Sequence, residues 1–238
     1  MSKSKEQQLW EACTNGDLDL VKRLANDPAV DLNWGDPEGF GTSFYRACLQ
    51  GHKEVVSLLL TDKRIEVNKP KGTRATPFFI ACERGHKEVV SLLLADLRIS
   101  VNKPTNTGAT PFFAACQQGH LEVVSLLLND PRIDINKPHN GRCTPLWMAS
   151  HFGHLPVVQL ILASGRVVDT KTKSIAGPAP WNYMTAAEIG RYQGTKAKPD
   201  KEESQEDYTR KKKTGPLIAT LIDSYERNPQ QVRTQLRK

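Results

Sequence analysis

One segment of ten residues recurs along this sequence at a fixed interval. Residues 51–60 return unchanged as 85–94, with a single substitution as 119–128, and more loosely as 153–162. The four leading glycines, Gly51, Gly85, Gly119 and Gly153, are therefore each 34 residues apart. Because a fixed period of about 20–50 residues is the sequence sign of stacked small units, this spacing restricts the chain to a repeat architecture.

Each copy carries the signals of two helices followed by an extended connection. Thr76-Pro77 and Thr110-Pro111 predict the start of a first helix, because threonine caps free backbone amides and proline suits the first helical position. Gly85 and its equivalents predict the end of that helix. The valines and leucines that follow predict a second helix that is apolar on more than one face, as a helix between neighbouring repeats must be.

The repeated pattern Thr-Pro-Phe-Phe-x-Ala-Cys-x-x-Gly-His-x-x-Val-Val-x-Leu-Leu-Leu resembles the ankyrin repeat, and the match runs from about residue 8 to 165. The resemblance implies an all-α ankyrin-repeat solenoid of stacked helix-turn-helix units joined by β-hairpin-like fingers. The period is one residue longer than the usual ~33, and Lys71 and Arg74 predict unusual finger tips. Aromatic residues replace the family's histidine and predict tight packing at the first-helix turn; they are Tyr45, Phe79, Phe113 and Trp147.

The domain boundaries follow from where this pattern weakens. We predict a single domain over residues 1–226, with a cap repeat at about 4–34, full repeats at about 35–172 and a degenerate closing repeat at about 180–226. Residues 193–214 are polar and lack apolar periodicity, which predicts a flexible insertion in the closing repeat. Residues 227–238 predict a short basic helical tail, because Asn228-Pro229 has the form of a helix start.

The histidines and cysteines that recur do not form the patterns of a metal site or a catalytic site. His52, His86, His120 and His154 lie one repeat apart, too far to share a metal ion at ~2 Å bond lengths, so each is predicted to tie its own inter-helix turn. Four cysteines at equivalent positions predict buried free thiols, and Cys143 is expected to be more exposed. No phosphate-binding loop or His-Glu-x-x-His motif is present. We therefore expect no enzyme activity, no metal and no cofactor. The four equivalent cysteines are Cys13, Cys48, Cys82 and Cys116.

A recognition surface is indicated by the positions that vary between copies while the core stays constant. They are the two residues before each Gly-His pair, one position of the first helix, and the finger tips. Recognition and unconstrained surface drift would both produce this variation, and we interpret it as recognition because an extended groove is what a solenoid offers a partner. The chain is then a non-catalytic scaffold or adaptor that binds a partner protein on its concave groove and finger tips. The predicted partner-binding residues are Arg46, Gln50, Arg74, Ile80, Glu83, Arg84, Asn106, Gln117, Gln118, Asn140, Arg142, Trp147, His151 and Phe152.

The C-terminal segment suggests an alternative function. The formal net charge is +7, and residues 191–238 hold 12 Lys/Arg against 7 Asp/Glu, a difference of +5. The basic run Arg210, Lys211, Lys212 and Lys213 indicates a nuclear-import signal, a contact with an acidic partner, or only a solvated loop. A nuclear or nucleic-acid-associated regulator is therefore the alternative. Nucleic acid is disfavoured but left open, because only Tyr192 and Tyr208 are placed to stack on bases.

The location of the protein is indicated by what the sequence lacks. No apolar run approaches the ~20 residues of a membrane helix, and residues 1–6 are polar, unlike a signal peptide. We therefore expect a cytoplasmic protein, with the nucleus as an alternative, and no membrane partner. Caps at both ends of the array predict a monomer, and the interrupted final helix leaves open a regulatory part of a longer enzyme.

Overall fold

The computed structural model describes residues 3–175, 183–200 and 203–238. These ranges contain thirteen helices and a single isolated antiparallel bridge, between Gly35 and Thr42, so the all-α expectation is confirmed. The chain divides into two compact units, Met1–Asn106 and Thr107–Lys238. This differs from the predicted domain over 1–226 with a separate tail, because the last helix packs on its neighbours within the second unit.

The first unit consists of three helix pairs. First helices pack on first helices and second helices on second helices, so that each pair contacts the next along the chain. The helices are α1 (Lys5–Asn15), α2 (Leu18–Ala25), α3 (Ser43–Gln50), α4 (Lys53–Thr61), α5 (Pro77–Arg84) and α6 (Lys87–Ala95).

The second unit continues the same pattern and then departs from it. Its first two pairs have the lengths seen in the first unit, whereas the closing pair contains a much longer second helix and is followed by one more short helix. The helices are α7 (Pro111–Gln118), α8 (Leu121–Asn129), α9 (Pro145–His151), α10 (Leu155–Ala163), α11 (Ala186–Thr195), α12 (Gln205–Arg227) and α13 (Pro229–Leu236).

The helix starts lie where the sequence places them. The hydroxyl oxygen of Thr76 accepts a hydrogen bond from the backbone N–H of Phe79, and Pro77 is the first residue of α5. Thr110 caps α7 in the same way. Each cap satisfies an amide that the helix itself leaves without a partner, which typically stabilises a helix by about 1 kcal/mol.

The core is built from the residues that recur in each copy. Val55, Val89, Val123 and their following valines are buried, as are the four aromatic residues at the first-helix turn. All five cysteines are free and buried, and burial raises the pKa of Cys48, Cys82 and Cys116 well above its ordinary value. Cys143 is buried too, and burial raises its pKa to about 12, so the expectation that it is more exposed is wrong.

An asparagine in each connection joins one repeat to the backbone of the next. In the first unit, Asn68 donates its amide N–H to the carbonyl of Arg98 at 2.6 Å and accepts from the backbone N–H of Ser100 at 2.8 Å. Asn33 does the same one repeat earlier, with Arg64 and Glu66. A single side chain thus satisfies two backbone groups of its neighbour.

An arginine joins the repeats in the opposite direction, because it donates to a carbonyl at the end of the second helix of the preceding repeat. Arg98 forms a forked ion pair with Asp96 and donates from Nη2 to the carbonyl of Leu60 at 2.8 Å. Arg64 pairs with Asp62 and reaches the carbonyl of Ala25. A cation at a helix C-terminus satisfies carbonyls that lack a partner within the helix and complements its dipole.

The histidines also connect repeats, which corrects the expectation that each ties its own turn. His86 Nε2 lies 2.8 Å from the carbonyl oxygen of Leu49, and its ring lies against Gly51. His52 makes the same contact with Thr14. In the second unit, His154 contacts the Gln117 carbonyl at 3.0 Å. The ring reaches back because the glycine of the preceding repeat leaves the space for it.

The closing repeat contradicts the predicted flexible insertion at 193–214. The described part of that segment contains the end of α11 and the start of α12, and Ser204 caps α12 by accepting from the N–H of Asp207. Pro216 lies inside α12, which begins at Gln205, within the predicted insertion. In the described part of this segment, Glu203 pairs with Lys196 and Lys211, so these polar side chains form contacts within the closing repeat.

The two closing helices approach each other at glycine. A Cβ added to Gly215 of α12 would lie 2.3 Å from the carbonyl oxygen of Gly190 in α11, and one added to Gly194 would lie 2.4 Å from Pro216. Real Cβ atoms do not come so close to another heavy atom; the first contact is with backbone and the second with the proline ring. The two helices therefore pack backbone against backbone, which only a residue without a side chain permits.

Candidate functional site

The predicted partner-binding residues divide between the two units. Exposed members in the first unit are Gln50, Arg74, Arg84 and Asn106, and those in the second are Gln118, Asn140 and Arg142. Partly exposed members are Arg46, Glu83, Gln117 and Phe152. Most of the predicted set thus lies at surface positions of fingers and first-helix ends.

Three predicted residues are buried, so they are not surface residues. Ile80 is 5% exposed, Trp147 3% and His151 8%. The Trp147 indole donates to the carbonyl of Met184 at 2.9 Å and stacks on the His151 ring at 5.1 Å between centroids. Variation between copies therefore did not distinguish packing from recognition at these positions.

Phe152 is partly covered by the closing repeat. The Lys211 ammonium lies 5.0 Å from the centre of its ring, and Arg210 donates from Nε to its carbonyl oxygen at 3.2 Å. Thr214 donates to the next carbonyl, that of Gly153, at 2.9 Å. Helix α12 therefore partly covers the end of α9 that the sequence assigned to a partner.

The basic run is not the solvated or flexible segment that was considered. Lys211 is 6% exposed, and its ammonium pairs with Glu203 at 2.7 Å. Lys212 donates to the Tyr208 hydroxyl, and Arg210 pairs with Asp207. Of the four cations, only Lys212 and Lys213 are exposed. All four lie in α12, and Lys211 is on the side of the helix that packs against the rest of the unit.

A buried polar cluster lies beneath this turn. Glu203 is held between the ammonium groups of Lys196 and Lys211, at 2.6 and 2.7 Å. Burial alone would raise the pKa of Glu203, but the hydrogen bonds from both lysines outweigh burial and the pKa falls to about 2. His151 accepts at Nδ1 from the Gln193 amide at 3.2 Å, and burial lowers the pKa of His151 to about 4. This cluster consists of structural ion pairs and a neutral imidazole.

The finger tips hold arginine where the backbone favours glycine. Arg74 has φ = 64° and Arg142 has φ = 58°, while the equivalent residue between them in sequence, Gly108, has φ = 81°. Each tip is closed by backbone hydrogen bonds, such as that from Arg74 N–H to the Lys71 carbonyl at 2.7 Å. A left-handed conformation costs a non-glycine residue about 1 kcal/mol, and such strain is concentrated at functional sites.

A cation-and-aromatic cluster in the first unit was missed by the sequence reasoning. The Arg46 guanidinium lies 4.7 Å from the centre of the Trp10 ring, and the Lys71 ammonium lies 5.8 Å from that of Phe40. The Trp10 indole donates to the carbonyl of Gly41, next to Phe40 in the chain. Both pairs therefore lie at the first finger, the connection over residues 35–42. Phe40 is 43% exposed, and an apolar residue among turn residues was the sequence signal that could have identified it.

Within the described ranges, no group of three or more His, Cys, Asp or Glu side chains is placed to hold a metal ion. The cysteines are buried thiols with raised pKa values, unlike the exposed thiolates of reactive cysteines. Helices long and apolar enough to span a bilayer are likewise lacking in the part of the chain that the structure describes. What remains is a surface of arginines, amides and aromatic rings, which suits recognition of another molecule.

Comparisons with known proteins agree with the repeat fold. A family model described as ankyrin repeats (3 copies) matches residues 9–105 and 97–172. The fold is similar to the crystal structure of EF0377, an ankyrin repeat protein, with a TM-score of 0.69 and 23% sequence identity over 89% of this chain and 98% of that one. A search of curated proteins finds no match.

Proposed function

The chain belongs to the ankyrin-repeat family, and we propose that it is a scaffold that binds a partner protein through the exposed finger tips and first-helix ends of its repeats. Ankyrin repeats generally mediate protein–protein interactions and are typically non-catalytic. The residues proposed to contact the partner are Arg46, Gln50, Arg74, Glu83, Arg84 and Asn106 in the first unit, with Gln117, Gln118, Asn140, Arg142 and Phe152 in the second.

The observation that carries the proposal is the conformation of Arg74 and Arg142. Both are exposed, both have left-handed backbone, and the equivalent Gly108 is the residue that this conformation favours. Retaining arginine at this cost is reasonable if its side chain binds a partner, because arginine is a frequent hot-spot residue. The exposed Arg84 at the end of α5 adds a third guanidinium.

Affinity capture from cell lysate with quantitative mass spectrometry tests the proposal. The test variant is Arg74→Gly combined with Arg142→Gly, which removes both side chains while leaving backbone conformations that glycine adopts freely. We expect it to lose specific proteins that the wild type captures, and to be at least as resistant to denaturant. The matched control is Lys63→Ala, which removes an exposed cation outside the fingers. Capture of the same proteins by all three chains would show that the finger tips are not the binding site.

The nucleic-acid alternative has less support. Lys211 is buried against Glu203, so the basic run offers fewer exposed cations than its sequence suggested. Replacement of the exposed Lys212 and Lys213 by glutamate is expected to leave the captured proteins unchanged. If those replacements alone abolish capture, and the lost proteins bind only at low salt, the alternative is correct and the finger proposal is not.

A further inference from the structure

A cleft of about 160 Å³ lies in the first unit between helix α1 and the first finger. Two indole rings, two carboxylates, an amide and an ammonium line it, and most of these groups are polar or charged. The lining residues are Lys3, Gln7, Trp10, Glu11, Trp34 and Asp36. Trp10 recurs as Trp147, but the other five do not recur in the later copies, so this set of groups is particular to the N-terminal end of the array.

The walls of the cleft are held in place by hydrogen bonds. The Trp10 indole N–H is fixed on the Gly41 carbonyl at 3.0 Å. Asp36 donates its backbone N–H to the same carbonyl at 3.3 Å, and its Oδ2 accepts from the N–H of Phe40. The ring and the carboxylate are therefore positioned before any ligand arrives, which lowers the entropy cost of binding.

The charges in the cleft favour a cation. Lys3 pairs with Glu11 at 2.7 Å, so one of the two carboxylates already has a partner. Asp36 forms no ion pair with any residue in the described ranges. A neutral or anionic ligand would cover this carboxylate without compensating its charge, which is unfavourable, whereas a cation would meet both the carboxylate and the faces of aromatic rings.

The chemistry of the walls, two indole rings beside a carboxylate, favours a guanidinium over an ammonium. A guanidinium is planar, stacks on aromatic rings and donates two parallel hydrogen bonds to a carboxylate. Trp10 already makes such a contact elsewhere, since Arg46 lies 4.7 Å from its ring centre without lining the cleft. We propose that the cleft between Trp10, Trp34 and Asp36 receives the side chain of an arginine that the partner presents. This inference rests on the proposed function, because the arginine belongs to the bound protein.

Titration with N-acetyl-arginine amide, observed through the indole N–H signals of the full chain by NMR, tests the inference. We expect the Trp10 and Trp34 signals to shift and saturate, while N-acetyl-glutamine amide leaves them unchanged. Asp36→Asn should weaken the affinity at least 5-fold, because the amide keeps the acceptor for Phe40 but loses the charge. Glu38→Gln, a change of the same kind on the same finger but outside the cleft, should leave the affinity unchanged.

Two results would overturn the inference. One is an absence of saturable shifts at Trp10 and Trp34 with the arginine amide. The other is equal or tighter binding of N-acetyl-trimethyllysine amide, which would show a cation site that is not selective for guanidinium. Because the probe is a single amino-acid amide, the titration is independent of capture by the Arg74→Gly, Arg142→Gly chain. Failure of either proposal can therefore be recognised without the other.

Discussion

The repeats of the first unit and the closing repeat of the second unit solve the same packing problem with different chemistry. In the first unit, neighbours are joined by contacts that recur at each junction, such as Asn68 on the backbone of Arg98 and Ser100. In the closing repeat, the junction consists of a buried carboxylate between two ammonium groups and a close crossing of two glycines. Removing one side chain from a recurring junction should cost little stability, because several similar hydrogen bonds hold that junction. Removing one from the closing junction should cost more, because few groups hold it.

The largest effect is expected from removing the charge of Glu203. Glu203→Gln leaves the buried Lys211 without its counter-charge, while Lys196 keeps its pair with Asp200 alone. Loss of one partner of a buried ion pair typically costs about 3–5 kcal/mol. We expect the free energy of unfolding of the second unit to fall by about 3 kcal/mol at pH 7, measured by denaturant titration. The control is Asp223→Asn, whose pair with Arg191 is exposed, and it should change stability by less than about 0.5 kcal/mol.

The pH dependence of the same variant gives a second measurement. The pKa of Glu203 is lowered to about 2 in the folded chain, below the value of about 4.3 that an unfolded glutamate has. Its contribution is therefore fully present above about pH 4.3 and is lost as the pH falls towards 2. The difference in stability between wild type and Glu203→Gln should shrink over that range. A difference that stays constant would show that the carboxylate charge does not stabilise the closing repeat.

The next effect concerns the crossing of α11 and α12. Gly215→Ala places a methyl group 2.3 Å from the Gly190 carbonyl oxygen, so the helices must separate, at a cost of about 2–3 kcal/mol. Hydrogen exchange should become faster along both helices. Gly72→Ala is the control, because a Cβ at Gly72 would meet nothing within 4 Å, and it should be nearly neutral. Equal stability of Gly215→Ala and wild type would contradict the close crossing.

The smallest of the three effects is expected in the recurring junction. His86→Ala removes the ring that lies on Gly51 and leaves the Leu49 carbonyl without its hydrogen bond, which should cost about 1–2 kcal/mol. Thermal unfolding of the first unit measures it, with the exposed Ser91→Ala of the same repeat as control. If His86→Ala were as damaging as Glu203→Gln, the contrast between the recurring and the closing junctions would be wrong.

The fold of the repeats could be predicted because each local signal recurs. Thr76-Pro77 begins a helix in the sequence and in the structure, and Cys82 is buried where its equivalents are. The closing repeat could not be predicted in this way. Residues 193–214 are polar, and polarity predicts exposure unless the partner of each charge is known. Glu203 and Lys196 lie in the connection between α11 and α12, and the packing of these helices brings them together. No local sequence pattern predicts this ion pair.

The candidate site was predicted in part. Variation between copies identified Arg74 and Arg142, but not their left-handed backbone, because a φ angle is set by how the tip closes. The same criterion selected Trp147, which is buried, since a position can vary to fit a neighbour. Trp34 and Asp36 were missed as site residues, because a cleft between a helix and a finger depends on an angle that sequence spacing does not encode.

The arginines that bond the ends of α2 and α4 lie later in the sequence than those helices, so the helices are synthesised before the residues that complete them. Ala25 of α2 receives its hydrogen bond from Arg64, which the ribosome adds 39 residues later, and Leu60 waits for Arg98. In the second unit, the carbonyl of Ala163 in α10 accepts a hydrogen bond from Arg237, the residue that follows α13. During synthesis, α2 and α4 therefore lack this hydrogen bond until the following repeat has been made. For α10 the bond is supplied by the residue that caps α13.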